Sequence, residues 1–148
     1  MKNLHLLLVE DNEGDVVLAR EALSSAKISV LLDVAEDGKE ALEKLKNQSP
    51  ESDDAPLDAI ILDINLPGMN GKELLRILKS TSNLKQIPVI ILSTTSSPSE
   101  IREVYDLKAS WYATKPDKLK DYEKLIQDIE KRVREKQECT SFDSFIIS

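Results

Sequence analysis

Cysteine and histidine each occur once, as Cys139 and His5. A lone thiol excludes an internal disulfide and any zinc site built on cysteines. A lone imidazole argues against a multi-histidine metal site or a Ser-His-Asp triad, and His5 falls inside an apolar run, where it reads as a strand residue. The four glycines are scattered at positions 14, 38, 68 and 71, so no Gly-rich loop of the kind that cradles a nucleotide or flavin is present. Long hydrophobic runs are missing too. Leu4–Val9 ends at Glu10-Asp11, too short for a signal peptide or a membrane span, and the chain reads as a cytoplasmic protein without a membrane partner. Positive charge is in deficit: 20 Lys and Arg against 27 Asp and Glu give −7, which argues against a nucleic-acid surface. The one dense basic stretch, Lys131–Arg134, is interleaved with Glu130 and Glu135 and reads as the wet face of a helix.

What is present is a core-forming chain of ordinary domain size, with 148 residues of which 41% are hydrophobic. Strand-length apolar runs lie at Leu4–Val9, Ile28–Val34, Ala59–Leu62, Val89–Leu92 and Ser110–Ala113, several of them apolar almost throughout, as in a sheet covered on both faces. Helical periodicity fills the intervals. Val16, Ala19, Leu23 and Ala26 share one face, as do Leu119, Tyr122, Ile126, Ile129 and Val133. On the wet side of the last helix, Asp128 and Glu130 are spaced to pair with Arg132 and Arg134. Strict strand–helix alternation predicts an α/β fold: a doubly wound, five-stranded parallel sheet of the flavodoxin-like order 2-1-3-4-5, with helices on both faces. Residues 1–137 form the expected domain and 138–148 a C-terminal tail, with Gln48–Pro56 as a polar loop.

In such a sheet, ligands bind beyond the carboxyl ends of the strands, above all where the strand order switches. The first strand runs into Glu10-Asp11, the third into Asp63, the fourth into Ser93-Thr94 and the fifth into Lys115-Pro116. Each has an ordinary alternative, since Asp11 reads equally as a helix cap and Asp63 as the start of a turn. Together they place three carboxylates on one rim, a repulsive set unless a cation neutralises it, and an all-oxygen site suits Mg²⁺. With a lysine and a hydroxyl added, the set has the parts that phosphoryl transfer to a carboxylate nucleophile requires.

These residues, Val9-Glu10-Asp11-Asn12, Leu62–Gly71, Leu92-Ser93-Thr94 and Tyr112–Pro116, resemble the receiver domain of two-component signalling over about Leu4 to Val133. The opening segment and Asp63–Leu75 further resemble the small response regulators associated with phytochromes. The resemblance implies that Asp63 is the phosphoacceptor. Asp11, Asp63 and the backbone carbonyl of Asn65 would then ligate Mg²⁺, with Glu10 acting through water. Ser93 and Lys115 would contact the phosphoryl group, and Tyr112 would be the aromatic whose rotamer follows Ser93. Trp111 is bulky for its position, and Asp117, where the family often has an aromatic or apolar residue, is expected to cap the last helix. The implied partners are a sensor histidine kinase or phosphotransfer protein and a downstream protein, with homodimerisation possible. The chain would act as a terminal output or as a phosphorelay carrier. A true enzyme, an aspartyl-nucleophile phosphatase, fits less well because its general acid would fall at Asn65.

Two further expectations concern the backbone. The Lys115–Pro116 bond is expected to be cis, to aim the lysine into the site. The apolar residues Phe142, Phe145, Ile146 and Ile147 predict that the tail docks onto folded protein, with a symmetric partner favoured over the same chain.

Overall fold

The computed structural model describes residues 3–46, 57–95 and 97–147, so the polar stretch at 48–56 lies outside the described residues. Five strand–helix units follow one another: β1 (Leu4–Val9), α1 (Glu13–Ser25), β2 (Val30–Ala35), α2 (Gly38–Leu45), β3 (Ala59–Asp63), α3 (Gly71–Ser80), β4 (Val89–Ser93), α4 (Pro98–Asp106), β5 (Trp111–Thr114) and α5 (Leu119–Arg134). A 3-10 turn at Phe142–Ser144 leads into a short sixth strand, β6 (Ile146–Ile147). All neighbouring strands are parallel, in the order β2-β1-β3-β4-β5-β6.

The doubly wound order is therefore as expected for the first five strands, and the count of five is corrected to six. The sixth comes from the tail. Its aromatic and branched residues do dock, but onto their own chain: Ile146 registers with Tyr112 and Ile147 with Ala113. The Tyr112 amide donates to the Phe145 carbonyl at 3.0 Å, and Phe145 is completely buried. The expectation of a symmetric partner as the docking site gives way because the chain's own β5 edge satisfies the same backbone groups.

Successive residues of a strand face opposite sides, and the core divides accordingly. Leu7, Val9, Ile60, Leu62, Val89, Ile91 and Tyr112 pack under α2, α3 and α4. Leu6, Leu8, Ile61, Ile90, Leu92, Trp111 and Ala113 pack under α1 and α5. Trp111 and Tyr112 thus lie on opposite faces, so the bulk of Trp111, over whose ring the Arg132 guanidinium sits at 4.4 Å, does not bear on Tyr112. Both anticipated pairs on α5 form, Arg132 with Asp128 and Arg134 with Glu130. Among the described residues no helix is long and apolar enough to cross a membrane.

The helix starts gather at the carboxyl rim of the sheet, and those of α1, α2 and α3 are capped by short polar side chains. Asn12 accepts from the Asp15 amide, Asp37 from Glu40 and Asn70 from Glu73. The start of α3 fits tightly under the end of β3: a Cβ on Gly71 would lie 2.7 Å from the Ile64 Cα and 2.8 Å from the Asp63 carbonyl oxygen. Only glycine permits that approach, which fixes the loop leaving Asp63. Asp117 does not cap α5. Lys118 holds the cap position in extended backbone, with no side-chain cap bond, so the helix starts one residue too late for Asp117 to serve.

Candidate functional site

β1 runs out into Glu10 and Asp11, and β3 ends in Asp63, on adjacent strands where the order of the sheet reverses. One carboxylate oxygen from each of Glu10, Asp11 and Asp63 lies within 4.8 Å of the others. Glu10 and Asp63 are buried, and Asp11 is exposed at the mouth. Asp11 is not the helix cap, because Asn12 takes that role. The Asp63 carboxylate accepts from the Asn65 amide at 3.0 Å and from the Lys115 ammonium at 3.0 Å.

Lys115 reaches the site from the end of β5, its amide tied to the Ser93 carbonyl at 2.7 Å. The peptide bond to Pro116 is trans, since no cis bond occurs among the described residues, and the expected cis bond is corrected. The lysine stem is long enough to bring Nζ to Asp63 from a trans backbone, the isomer X–Pro bonds ordinarily prefer. Its ammonium contacts three carboxylates: Glu10 Oε1 at 2.6 Å, Asp15 Oδ2 at 2.9 Å and Asp63 Oδ2 at 3.0 Å. Glu10 Oε1 is buried, and the lysine ammonium is its close partner. Burial by itself would lower the lysine's pKa, but the surrounding carboxylates outweigh burial and hold it above the ordinary value.

Asp15 was not anticipated. A carboxylate in the first turn of a helix looks like an ordinary partner for the helix dipole, and only its place one turn beyond Asp11 hints at more. With it, Glu10, Asp15 and Asp63 share a single ammonium, and Asp11 adds a fourth carboxylate beside Glu10 and Asp63. The excess of negative charge shows in Glu10, whose carboxyl is pushed up to about 7, first by burial and further by the neighbouring Asp63. Oxygen donors with surplus negative charge, partly open at Asp11, fit a hard divalent cation.

Ser93 and Tyr112 do not point their hydroxyls at this cluster. The buried Ser93 hydroxyl donates to Glu100 Oε2 at 2.8 Å. The Tyr112 hydroxyl donates to the Thr95 carbonyl and lies 3.3 Å from the same glutamate oxygen. Glu100, in the first turn of α4, also escaped the reading of the sequence. His5 pairs with Asp33 across β1 and β2 at 2.8 Å, away from the rim.

A parallel sheet of this order, with acidic residues and a lysine at its switch point, defines a class that comparison makes specific. Residues 6–127 match the response regulator receiver domain family. Response regulator Rcp1 of Synechocystis is 36% identical over 125 residues, covering 84% of this chain and 85% of the relative. The two-component response regulator ARR17 of Arabidopsis thaliana is 40% identical over 131 residues, covering 84% and 83%. Among solved structures, the phosphorylated cyanobacterial phytochrome response regulator RcpA superposes with a TM-score of 0.80 at 33% identity, covering 95% of this chain and 100% of that one. The Mn²⁺-bound form of Rcp1 superposes with a TM-score of 0.73 at 35% identity, covering 86% and 91%. The chain belongs to the response regulator receiver domain family of two-component signalling.

Proposed function

We propose that this receiver domain accepts a phosphoryl group on Asp63 from a phosphohistidine of a sensor kinase or phosphotransfer protein, and so switches a protein-binding surface. The observation that carries this reading is the buried Asp63 carboxylate, with Lys115 at 3.0 Å on one side and the Glu10 and Asp11 oxygens within 4.8 Å on the other. A carboxylate oxygen of Asp63 forms the new O–P bond as the donor's P–N bond breaks, and the electron pair returns to the imidazole nitrogen. Lys115 neutralises charge on the transferred group and orients Asp63. Asp11, Asp63 and the Asn65 carbonyl would hold Mg²⁺, with Glu10 acting through water; the bound cation supplies charge neutralisation at the phosphoryl oxygens. Asp15 shares the lysine and keeps it aimed at the site in the unphosphorylated protein.

The names of two neighbours, one phosphorylated and one Mn²⁺-bound, support this chemistry by likeness. The phosphatase alternative loses ground at Asn65, whose exposed amide side chain stands where a general acid is needed. Incubation with a small-molecule phosphodonor and Mg²⁺, read by intact mass, tests the proposal. Wild type gains one phosphoryl group and Asp63→Asn gains none. Equal labelling of both refutes the assignment.

A further inference from the structure

Residues Ser97-Pro98-Ser99-Glu100 have the spacing of a capping box, in which a glutamate at the third helical position reaches back to the cap residue's amide. The structure departs from that pattern. Ser97 makes no side-chain cap bond, its hydroxyl turning instead to Ser99 at 3.0 Å. The Glu100 carboxylate faces the sheet and collects hydroxyls on a single oxygen, Oε2: Ser93 at 2.8 Å, Thr95 at 3.1 Å and Tyr112 at 3.3 Å. Those donors come from the end of β4, the loop after it and β5. A local motif given up in favour of contacts between elements marks a residue set by tertiary demands.

We infer that Glu100 is a positioning residue that holds Ser93 and Tyr112 in the unphosphorylated arrangement and competes with a phosphoryl group on Asp63 for the Ser93 proton.

The inference rests on the phosphoacceptor reading above and adds a component to it. A serine hydroxyl has one proton. Here it is donated to a carboxylate, a charge-assisted bond stronger than one to a neutral acceptor. Ser93 cannot donate to a phosphoryl oxygen while that bond stands. The backbone helps to hold it, since the Thr95 amide donates to Ser93 Oγ at 3.2 Å. Once Ser93 leaves, Glu100 keeps Thr95 and Tyr112 as its hydroxyl partners among the described residues. The position of Tyr112 then depends on a carboxylate that has lost its nearest donor. Glu100 therefore sets the cost of switching and links the two residues through one atom.

Binding of beryllofluoride, a non-covalent phosphoryl mimic, measured by calorimetry at saturating Mg²⁺, tests this. Glu100→Gln weakens the bond to Ser93 and should tighten beryllofluoride binding about tenfold, since a hydrogen bond to a charged group is at stake. Glu100→Asp keeps the charge at the helix start but shortens the reach, and should tighten binding as well; a helix-dipole role would leave it like wild type. In a Ser93→Ala background, Glu100→Gln should have no effect, because the contested proton is gone. Without fluoride, Mg²⁺ affinity should be near wild type in the glutamate variants, and melting should fall only by the few degrees that one weakened hydrogen bond accounts for. Unchanged beryllofluoride affinity in Glu100→Gln, or an equal gain with and without Ser93, overturns the inference while leaving Asp63 as acceptor. Wild-type protein that binds no beryllofluoride at all overturns the phosphoacceptor reading and this inference with it.

Discussion

The carboxylates at the carboxyl rim of the sheet are partnered in two opposite ways. Glu10, Asp15 and Asp63 share one ammonium, that of Lys115, and Asp11 stands beside them. Glu100 has a charge of its own and is surrounded by hydroxyls from Ser93, Thr95 and Tyr112. The first group is short of positive charge, and its balance improves when a cation arrives. The second is already well supplied with donors and changes by exchanging one partner for another. On the proposed reading, capture of a charge and a change of state fall to different side chains, joined at the end of β4.

Removing the cation should break this contrast most severely. In metal-free protein, Lys115→Met leaves Glu10 and Asp63 buried without a counter-charge and should lower unfolding free energy by about 3–5 kcal/mol in urea titrations above neutral pH. A loss as small as that of an exposed pair, under about 1 kcal/mol, would mean that the lysine is not the keystone of the cluster. Next comes the wall behind the hydroxyl group. Phe145 is fully buried, with its ring centroid 6.4 Å from that of Tyr112, and Phe145→Ala should cost about 3 kcal/mol by the same measurement. A near-neutral result would show that the tail is not part of the folded core.

Metal sharpens the comparison. Mg²⁺ at a hundredfold excess over its dissociation constant should stabilise wild type by about 2.7 kcal/mol. At the same concentration Asp11→Asn should gain far less, although without metal it should melt no lower than wild type, because one repulsive charge is gone. Equal Mg²⁺ stabilisation of both would remove Asp11 from the ligand set. In metal-free protein the Glu10 carboxyl holds its proton up to about 7 when folded, against 4.5 as its ordinary value. The folded state therefore binds the extra proton between those values, and stability should fall as pH rises through that window. Glu10→Gln should flatten the slope; an unaltered slope would assign it elsewhere. Smallest of all, Tyr112→Phe removes the hydroxyl that donates to the Thr95 carbonyl beside Glu100 and should cost about 1 kcal/mol in the same urea titrations.

The reading of the sequence succeeded where burial is two-sided. β1, β3 and β4 are apolar because helices cover both faces, and the ends of β1 and β3, with that of β5, could be placed closely enough to bring Glu10, Asp11, Asp63 and Lys115 to one rim. It failed where a residue's local role is a plausible decoy. Asp15 reads as a helix-dipole partner and Glu100 as half of a capping box; only packing between distant segments shows what they touch. β6 went unread because two residues carry no periodicity, and its strand character comes from the β5 edge that it meets. Asp117 failed as a cap for a similar reason: a helix start shifted by one residue is invisible to composition.

The tail strand also bears on stickiness. Without β6, the four-residue β5, Trp-Tyr-Ala-Thr, would present an open row of amides and carbonyls, the usual template for unwanted strand pairing. Ile146 and Ile147 pair with Tyr112 and Ala113 in the middle of that row and, among the described residues, leave an outer edge two residues long, a common device for blunting a sheet margin. A foreign strand seeking the β5 margin has to displace a resident that is covalently attached. Flexibly tethered segments act as though present at about millimolar concentration, so peptides at ordinary cellular levels are outcompeted before shape or charge is tested.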